Sequence, residues 1–230
     1  MENDPADVAA ALGLLARRAC QQAGGALPVI RTIIFAKAPL AGFAKTRLIP
    51  ALGEEGAARL AQRMLQHTLD SAIAAAIGPV ELCATPEIAS PLWAGTEIPQ
   101  AVEITEQGEG DLGERMARAA QRALAKDSAV LLIGTDCIEM SAQILREAAA
   151  ALERKNAVIY PVADGGYVLL GLNRFHASLF SGITWSTETV ASDTVERIHA
   201  LGWALETGAL LHDVDEPGDL KYLPAGWLPN

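Results

Sequence analysis

A chain of 230 residues, half of them hydrophobic, is long enough for one α/β domain with a real core and too apolar to be disordered. Its 18 Lys and Arg stand against 28 Asp and Glu, and the resulting net charge of −10 repels polyphosphate backbones, which argues against a nucleic-acid partner. Three scattered cysteines, an acidic MENDPAD start and no apolar run of membrane-spanning length point to a cytoplasmic protein without a membrane partner.

The first predicted element is an Ala-rich helix within residues 1–28, closed by Gly24-Gly25, which reads as an appendage to a domain over 29–230 and could serve a homodimer contact. VIRTIIFAK then reads as a buried strand, and EEGAARLAQRMLQHTLDSAIAAAIG as a long helix with apolar residues at helical spacing. PVELCAT, AVEITE and AVLLIGTD are further strands separated by a short and a longer helical stretch, and SAQILREAAAALERK is a helix with Ser141 as N-cap. AVIYPVADGGYVLLGL predicts two strands around an Asp164-Gly165-Gly166 turn. WSTETVASDTVERIHALG reads as helical, LLHDVDE as extended, and PGDLKYL as a terminal helix opened by Pro217. The early βα rhythm implies a mostly parallel sheet between two helical layers, with the late hairpin as an irregular half.

QGEGDLGERM spaces Gly108, Gly110 and Gly113 as G-x-G-x-x-G, the dinucleotide fingerprint. Glu109, Asp111 and Glu114 would face a pyrophosphate with the wrong charge, and the motif follows the third strand rather than the first. Asp111 and Glu114 have capping-box spacing instead, which leaves the glycines to let the backbone approach a flat ligand.

After the first strand, AKAPLAGFAKTRL gathers Lys37, Lys45 and Arg47 around Gly42 in a chain short of cations. At the carboxyl edge of a parallel sheet such a loop suits phosphate oxygens, although it lacks the Walker pattern. Asp136 follows an apolar strand at the same edge. Asp213 and Asp215, two apart, would share one face of an extended segment with Cα atoms about 6.6 Å apart. Three converging carboxylates need a cation between them, and oxygen donors without a His or Cys cluster suggest Mg²⁺ or Mn²⁺. Helix capping is the bland alternative for Asp215. His212 has no neighbour in sequence that completes a base-and-orienter pair. Asp164, Gly165, Gly166 and Tyr167, with Trp185, Ser186 and Thr187, are candidates for the acceptor side.

Taken in order, AKAPLAGFAKTRL, QGEGDLGERM, GTDC, DGGYVLLGL, WST and DVDEPGDL resemble a bacterial family of candidate glycosyltransferases associated with arsenosugar biosynthesis and related to 2-phospholactate guanylyltransferases. The resemblance runs from about Ile33 to Leu220 and implies a GT-A-like nucleotide-diphospho-sugar transferase fold, α/β with three α/β/α layers. It implies that Lys37, Lys45 and Arg47 bind phosphates and that Gln107, Gly110 and Asp111 approach base and ribose. Asp136, Asp213 and Asp215 would hold the metal, with Asp136 and Asp164 as catalytic acids. Three readings follow: a metal-dependent glycosyltransferase with a nucleotide-sugar donor and a small-molecule acceptor, a nucleotidyltransferase joining an NTP to a phosphorylated acceptor, or a non-catalytic nucleotide-binding protein.

Overall fold

The computed structural model describes residues 29–228. The helix expected over 1–28, with Cys20 and its dimer contact, lies outside the described residues.

Strand β1 (Ile30–Lys37) is a β-branched run buried on both faces, as a central parallel strand must be. Its alternation sends Ile34 to one core and Ile33 to the other. A 3₁₀ turn, Thr46–Leu48, leads into helix α1 (Ile49–Ala75). Strands β2 (Val80–Thr85) and β3 (Val102–Glu106) follow, then α2 (Leu112–Leu124), β4 (Ala129–Ile133) and α3 (Ala142–Leu152). The hairpin β5 (Ala157–Pro161) and β6 (Tyr167–Leu172), α4 (Val190–Ala200), β7 (Leu205–Thr207) and a 3₁₀ turn, Pro217–Tyr222, complete the order.

The strands form a seven-stranded sheet, β3-β2-β1-β4-β6-β5-β7, in which β6 alone runs antiparallel to both its neighbours. Leu65, Leu69 and Ala72 of α1 and Leu145 and Ala148 of α3 cover one face; Met116, Ala119 and Ala120 of α2 and Ile198 of α4 cover the other. This is the expected three-layer α/β/α fold. No helix among the described residues is long and apolar enough to cross a membrane.

Four local expectations shift. The long helix begins before Glu54, across a Gly53 whose φ of 70° interrupts the helical backbone. WST is a turn, because Ser186 is left-handed (φ 62°) and the helix starts only at Val190. LLHDVDE forms no strand: Leu211 makes a lone bridge to Val162, and the edge position beside β5 goes to Leu205–Thr207. The terminal helix is a 3₁₀ turn.

Candidate active site

Chain connections leave β1 toward β2 and leave β4 toward the other half of the sheet, so a crevice opens between their carboxyl ends. A cleft of about 760 Å³ occupies that place, within the range of small-molecule sites. Lys37, Lys45, Arg47, Gln107, Asp136, Asp164, Gly166, Tyr167, Trp185, Ser186, Thr187, Asp213 and Asp215 all line it. Gly42, Gly110, Asp111 and Gly165 are not among the lining residues.

The basic loop reaches the cleft through side chains. Gly42, at φ 73°, permits a tight turn in which the N–H groups of Phe43 and Ala44 both donate to Leu40 O at 3.0 Å. Those two amides are therefore occupied by the turn and are not free to bind phosphate oxygens. Lys37 lays its ammonium over the Phe43 ring, 3.9 Å from the centroid, and Arg47 is exposed at the cleft.

Lys45 behaves differently. Its backbone is left-handed (φ 49°), a costly conformation for a side-chain-bearing residue and one that tends to mark functional sites. Its side chain, 7% exposed, directs Nζ to three oxygens: Asp215 Oδ1 at 2.8 Å, Val214 O at 2.7 Å and Asp136 Oδ1. An ammonium has three protons, and each has an acceptor here. Burial pulls the Lys45 pKa down, but Asp136 and Asp215 outweigh it and the net shift is upward.

The acids around Lys45 arrive from two segments. Asp136 sits in the loop after β4. The DVD segment keeps strand-like alternation without being a strand: Val214 is fully buried, its N–H donates to Asp136 O at 2.8 Å, and the carboxylates on either side line the cleft. Asp215 is not the cap of the terminal turn; Asp219 accepts from the N–H groups of Asp215 and Glu216, leaving the Asp215 carboxylate to Lys45. Asp213 is raised from 3.8 to about 6, first by burial and then by Asp164, Asp215 and Asp219, against a favourable backbone hydrogen bond.

The β5–β6 turn is built by Asp164 Oδ1 accepting from Gly166 N–H at 2.9 Å. Gly165 is required by packing, since its φ is 89° and a Cβ there would collide with Glu188 O. Tyr167 lines the cleft, with burial raising its hydroxyl pKa.

The glycine motif resolves into local structure. Asp111 and Glu114 form a reciprocal capping box on α2, at 2.8 and 2.9 Å. Gly113 is packed under the chain's own Trp185: a Cβ there would lie 2.7 Å from the indole Nε1 and would strike Phe180 O. The flat group close to this glycine is thus a protein side chain, not the ligand expected. The Gln107 amide is also committed, donating to Ala36 O at 3.2 Å and Cys83 O at 3.0 Å, with its own oxygen accepting from Arg115. It ties the ends of β1, β2 and β3 together rather than standing free to read a base.

Several features had no signal in the sequence. Phe35, Met116 and Glu188 line the cleft, and the Val214 carbonyl joins the two carboxylates around Lys45. His212 does have a carboxylate partner: Glu139 Oε2 lies 3.0 Å from Nδ1 and accepts from the His212 N–H, while Tyr222 stacks on the ring at 3.9 Å. The pair does not line the cleft.

Known proteins share this architecture. A candidate nucleotide-diphospho-sugar transferase from Desulfovibrio desulfuricans G20 is 30% identical, with 81% of this chain aligned to 82% of that one at a TM-score of 0.74. Two more distant structures share the fold alone. One is 4-diphosphocytidyl-2C-methyl-D-erythritol synthase from Anaerococcus prevotii DSM 20548, at 11% identity, 85% and 96% coverage and TM-score 0.53. The other is a CMP:2-keto-3-deoxy-manno-octonic acid synthetase complexed with CTP, at 12% identity, 84% and 96% coverage and TM-score 0.51. No curated protein matches the chain significantly in sequence. Residues 68–187, from mid-α1 through the β5–β6 hairpin to the Trp185 turn, match one family model, and the chain belongs to that family, described as "Uncharacterized protein conserved in bacteria (DUF2064)".

Proposed function

We propose that the protein is a metal-dependent glycosyltransferase that takes a nucleotide-sugar donor and a small-molecule acceptor. The observation that carries this reading is the cation position at the floor of the cleft, where Asp136, Asp215 and the Val214 carbonyl converge beside a loop bearing Lys37 and Arg47. Among the described residues no three His, Cys, Asp or Glu side chains are grouped to hold a metal. The donor set here is two carboxylates and one carbonyl, and the Lys45 ammonium marks it as a place for positive charge. Hard oxygen donors of this kind fit Mg²⁺ or Mn²⁺. Asp136, Asp215 and Val214 O would hold the ion, with Asp213 as a further carboxylate alongside. When bound, such an ion neutralises charge on diphosphate oxygens.

The chain's own groups supply the rest. Arg47 and Lys37 pair with phosphate oxygens and hold the donor's leaving group against the β1 edge. Tyr167 and Trp185 give the far half of the cleft an apolar wall against which a sugar or acceptor can lie. Asp164, on the β5–β6 turn, takes the proton of an attacking acceptor hydroxyl. The bond from sugar C1 to the acceptor oxygen forms as the bond from C1 to the diphosphate oxygen breaks.

Three cations on one loop would also serve a nucleoside triphosphate, which keeps nucleotidyl transfer of the guanylyltransferase type as a second reading. The acceptor half favours the first. It carries Asp164 and Glu188, and among the described residues of that half no Lys or Arg lines the cleft. A phosphorylated acceptor would enter against two carboxylates; a neutral polyol would donate hydrogen bonds to them.

Thermal-shift titration with nucleotides and nucleotide sugars, with and without Mn²⁺, tests the reading. Nucleotide sugars should stabilise the wild type in a Mn²⁺-dependent way, and Asp136→Asn should lose the metal dependence while keeping its own melting transition. Equal stabilisation with and without Mn²⁺ would remove the metal from the account.

A further inference from the structure

Lys45 belongs to two sets at once. Its sequence neighbours, Lys37 and Arg47, form the cationic loop offered to phosphates, yet its own ammonium is turned inward to three oxygens. Those oxygens are the ones assigned above to a divalent ion, so this inference rests on the proposed metal site. An ammonium and a divalent cation cannot share one set of three oxygens. Their occupancy is mutually exclusive.

We infer that Lys45 gates the metal position: with no phosphate bound its ammonium closes the cage of Asp136, Asp215 and Val214 O, and an anionic phosphate opens the cage by drawing the ammonium to itself. The side chain has the means to make this exchange. Lysine is a point charge on a flexible four-carbon stem, so it can turn from one set of oxygens to another without moving the fold. Its left-handed backbone caps the Thr46–Leu48 turn, two residues before the exposed Arg47. Asp136 and Asp215 are 46% and 41% exposed, so the cage is reachable from the cleft once the ammonium leaves.

The consequence is an order of binding. Metal alone must displace an ammonium already held by three acceptors. Metal arriving with a diphosphate meets a cage whose occupant has a better anion to pair with. By linkage, the factor by which phosphate raises metal affinity is the factor by which metal raises phosphate affinity. The device keeps the site from loading a metal ion without its substrate.

Mn²⁺ binding is measured directly, from the loss of the free-ion paramagnetic resonance signal, with no nucleotide present. Lys45→Ala should bind Mn²⁺ at least tenfold more tightly than the wild type, whereas Lys126→Ala, an exposed lysine that does not line the cleft, should match the wild type. Unchanged or weaker binding by a folded Lys45→Ala overturns the gate. Should that variant fail to melt cooperatively, the wild type decides in sulfate against chloride at equal ionic strength. Severalfold tighter Mn²⁺ binding in sulfate supports the gate, and identical binding overturns it. The outcome does not depend on which substrate is turned over: a working gate with every nucleotide sugar inert would sink the glycosyltransferase reading alone, and metal-dependent turnover without the Lys45 effect would sink the gate alone.

Discussion

The N–H of Val214 donates to the carbonyl of Asp136 at 2.8 Å. Through this bond the segment after β7 is docked on the loop after β4. Val214 is buried with Leu48, Leu60 and Met64, so the docking is anchored in the core under the basic loop. The flanking carboxylates, Asp213 and Asp215, must then face the cleft. One buried valine thereby assembles acids from two distant segments around Lys45.

Packing at Gly113 makes a stability prediction. An added methyl would strike the Phe180 carbonyl, which belongs to the backbone and cannot move aside cheaply, and would crowd the Trp185 indole. Gly113→Ala should cost roughly 1–3 kcal/mol and, at about 2–4 °C per kcal/mol, lower the melting temperature visibly. Tryptophan emission should shift as Trp185 is pushed from its seat. A variant with wild-type melting and emission would show that Gly113 is not required by this contact.

Asp213 gives the pH dependence. Its folded pKa of about 6 lies above the ordinary 3.8, so the folded state holds the proton more tightly than the unfolded chain does. A raised carboxylate contributes stability below its ordinary value and loses it as pH rises through the folded value. In chelator, Asp213→Asn should therefore be more stable than the wild type above about pH 6, and the two should converge below about pH 4. With the side chain half-exposed, solvent screening reduces the effect to roughly 1 kcal/mol. Equal melting temperatures at pH 8 would contradict the burial and crowding assigned to this acid.

Arg47 is exposed at the cleft and tests the phosphate loop without disturbing the cage. Arg47→Ala should weaken a nucleoside diphosphate by roughly 1.5–3 kcal/mol, about ten- to hundredfold, and leave the bare nucleoside nearly unaffected. Equal losses for both ligands, measured by calorimetry, would give Arg47 a structural role instead.

The sequence carried the frame because its signals were local. Alternating periodicities located the strands and helices, Asp164-Gly165-Gly166 marked the hairpin, and Asp111 with Glu114 marked the cap of α2. Parallel pairing at the carboxyl edge then brought most of the candidate residues into one cleft. What stayed hidden depends on long-range contact. Trp185 over Gly113, Glu139 on His212 and the Gln107 amide under β1 each join segments whose approach no local pattern encodes. Leu205–Thr207 is three residues long, too short for a period to register, and becomes a strand because β5 presents a free edge. Lys45 read as one of three phosphate ligands; that its ammonium lies between Asp136 and Asp215 follows from the Val214 docking alone.

The measurement that bears most directly on function is the identity of the released product. Incubated with nucleotide sugars and Mn²⁺, the protein should release a nucleoside diphosphate slowly, with water standing in for the acceptor, and Asp136→Asn should abolish the release. Pyrophosphate liberated from a nucleoside triphosphate and a small phosphorylated acid, with every nucleotide sugar inert, would contradict glycosyl transfer and assign the cleft to nucleotidyl transfer.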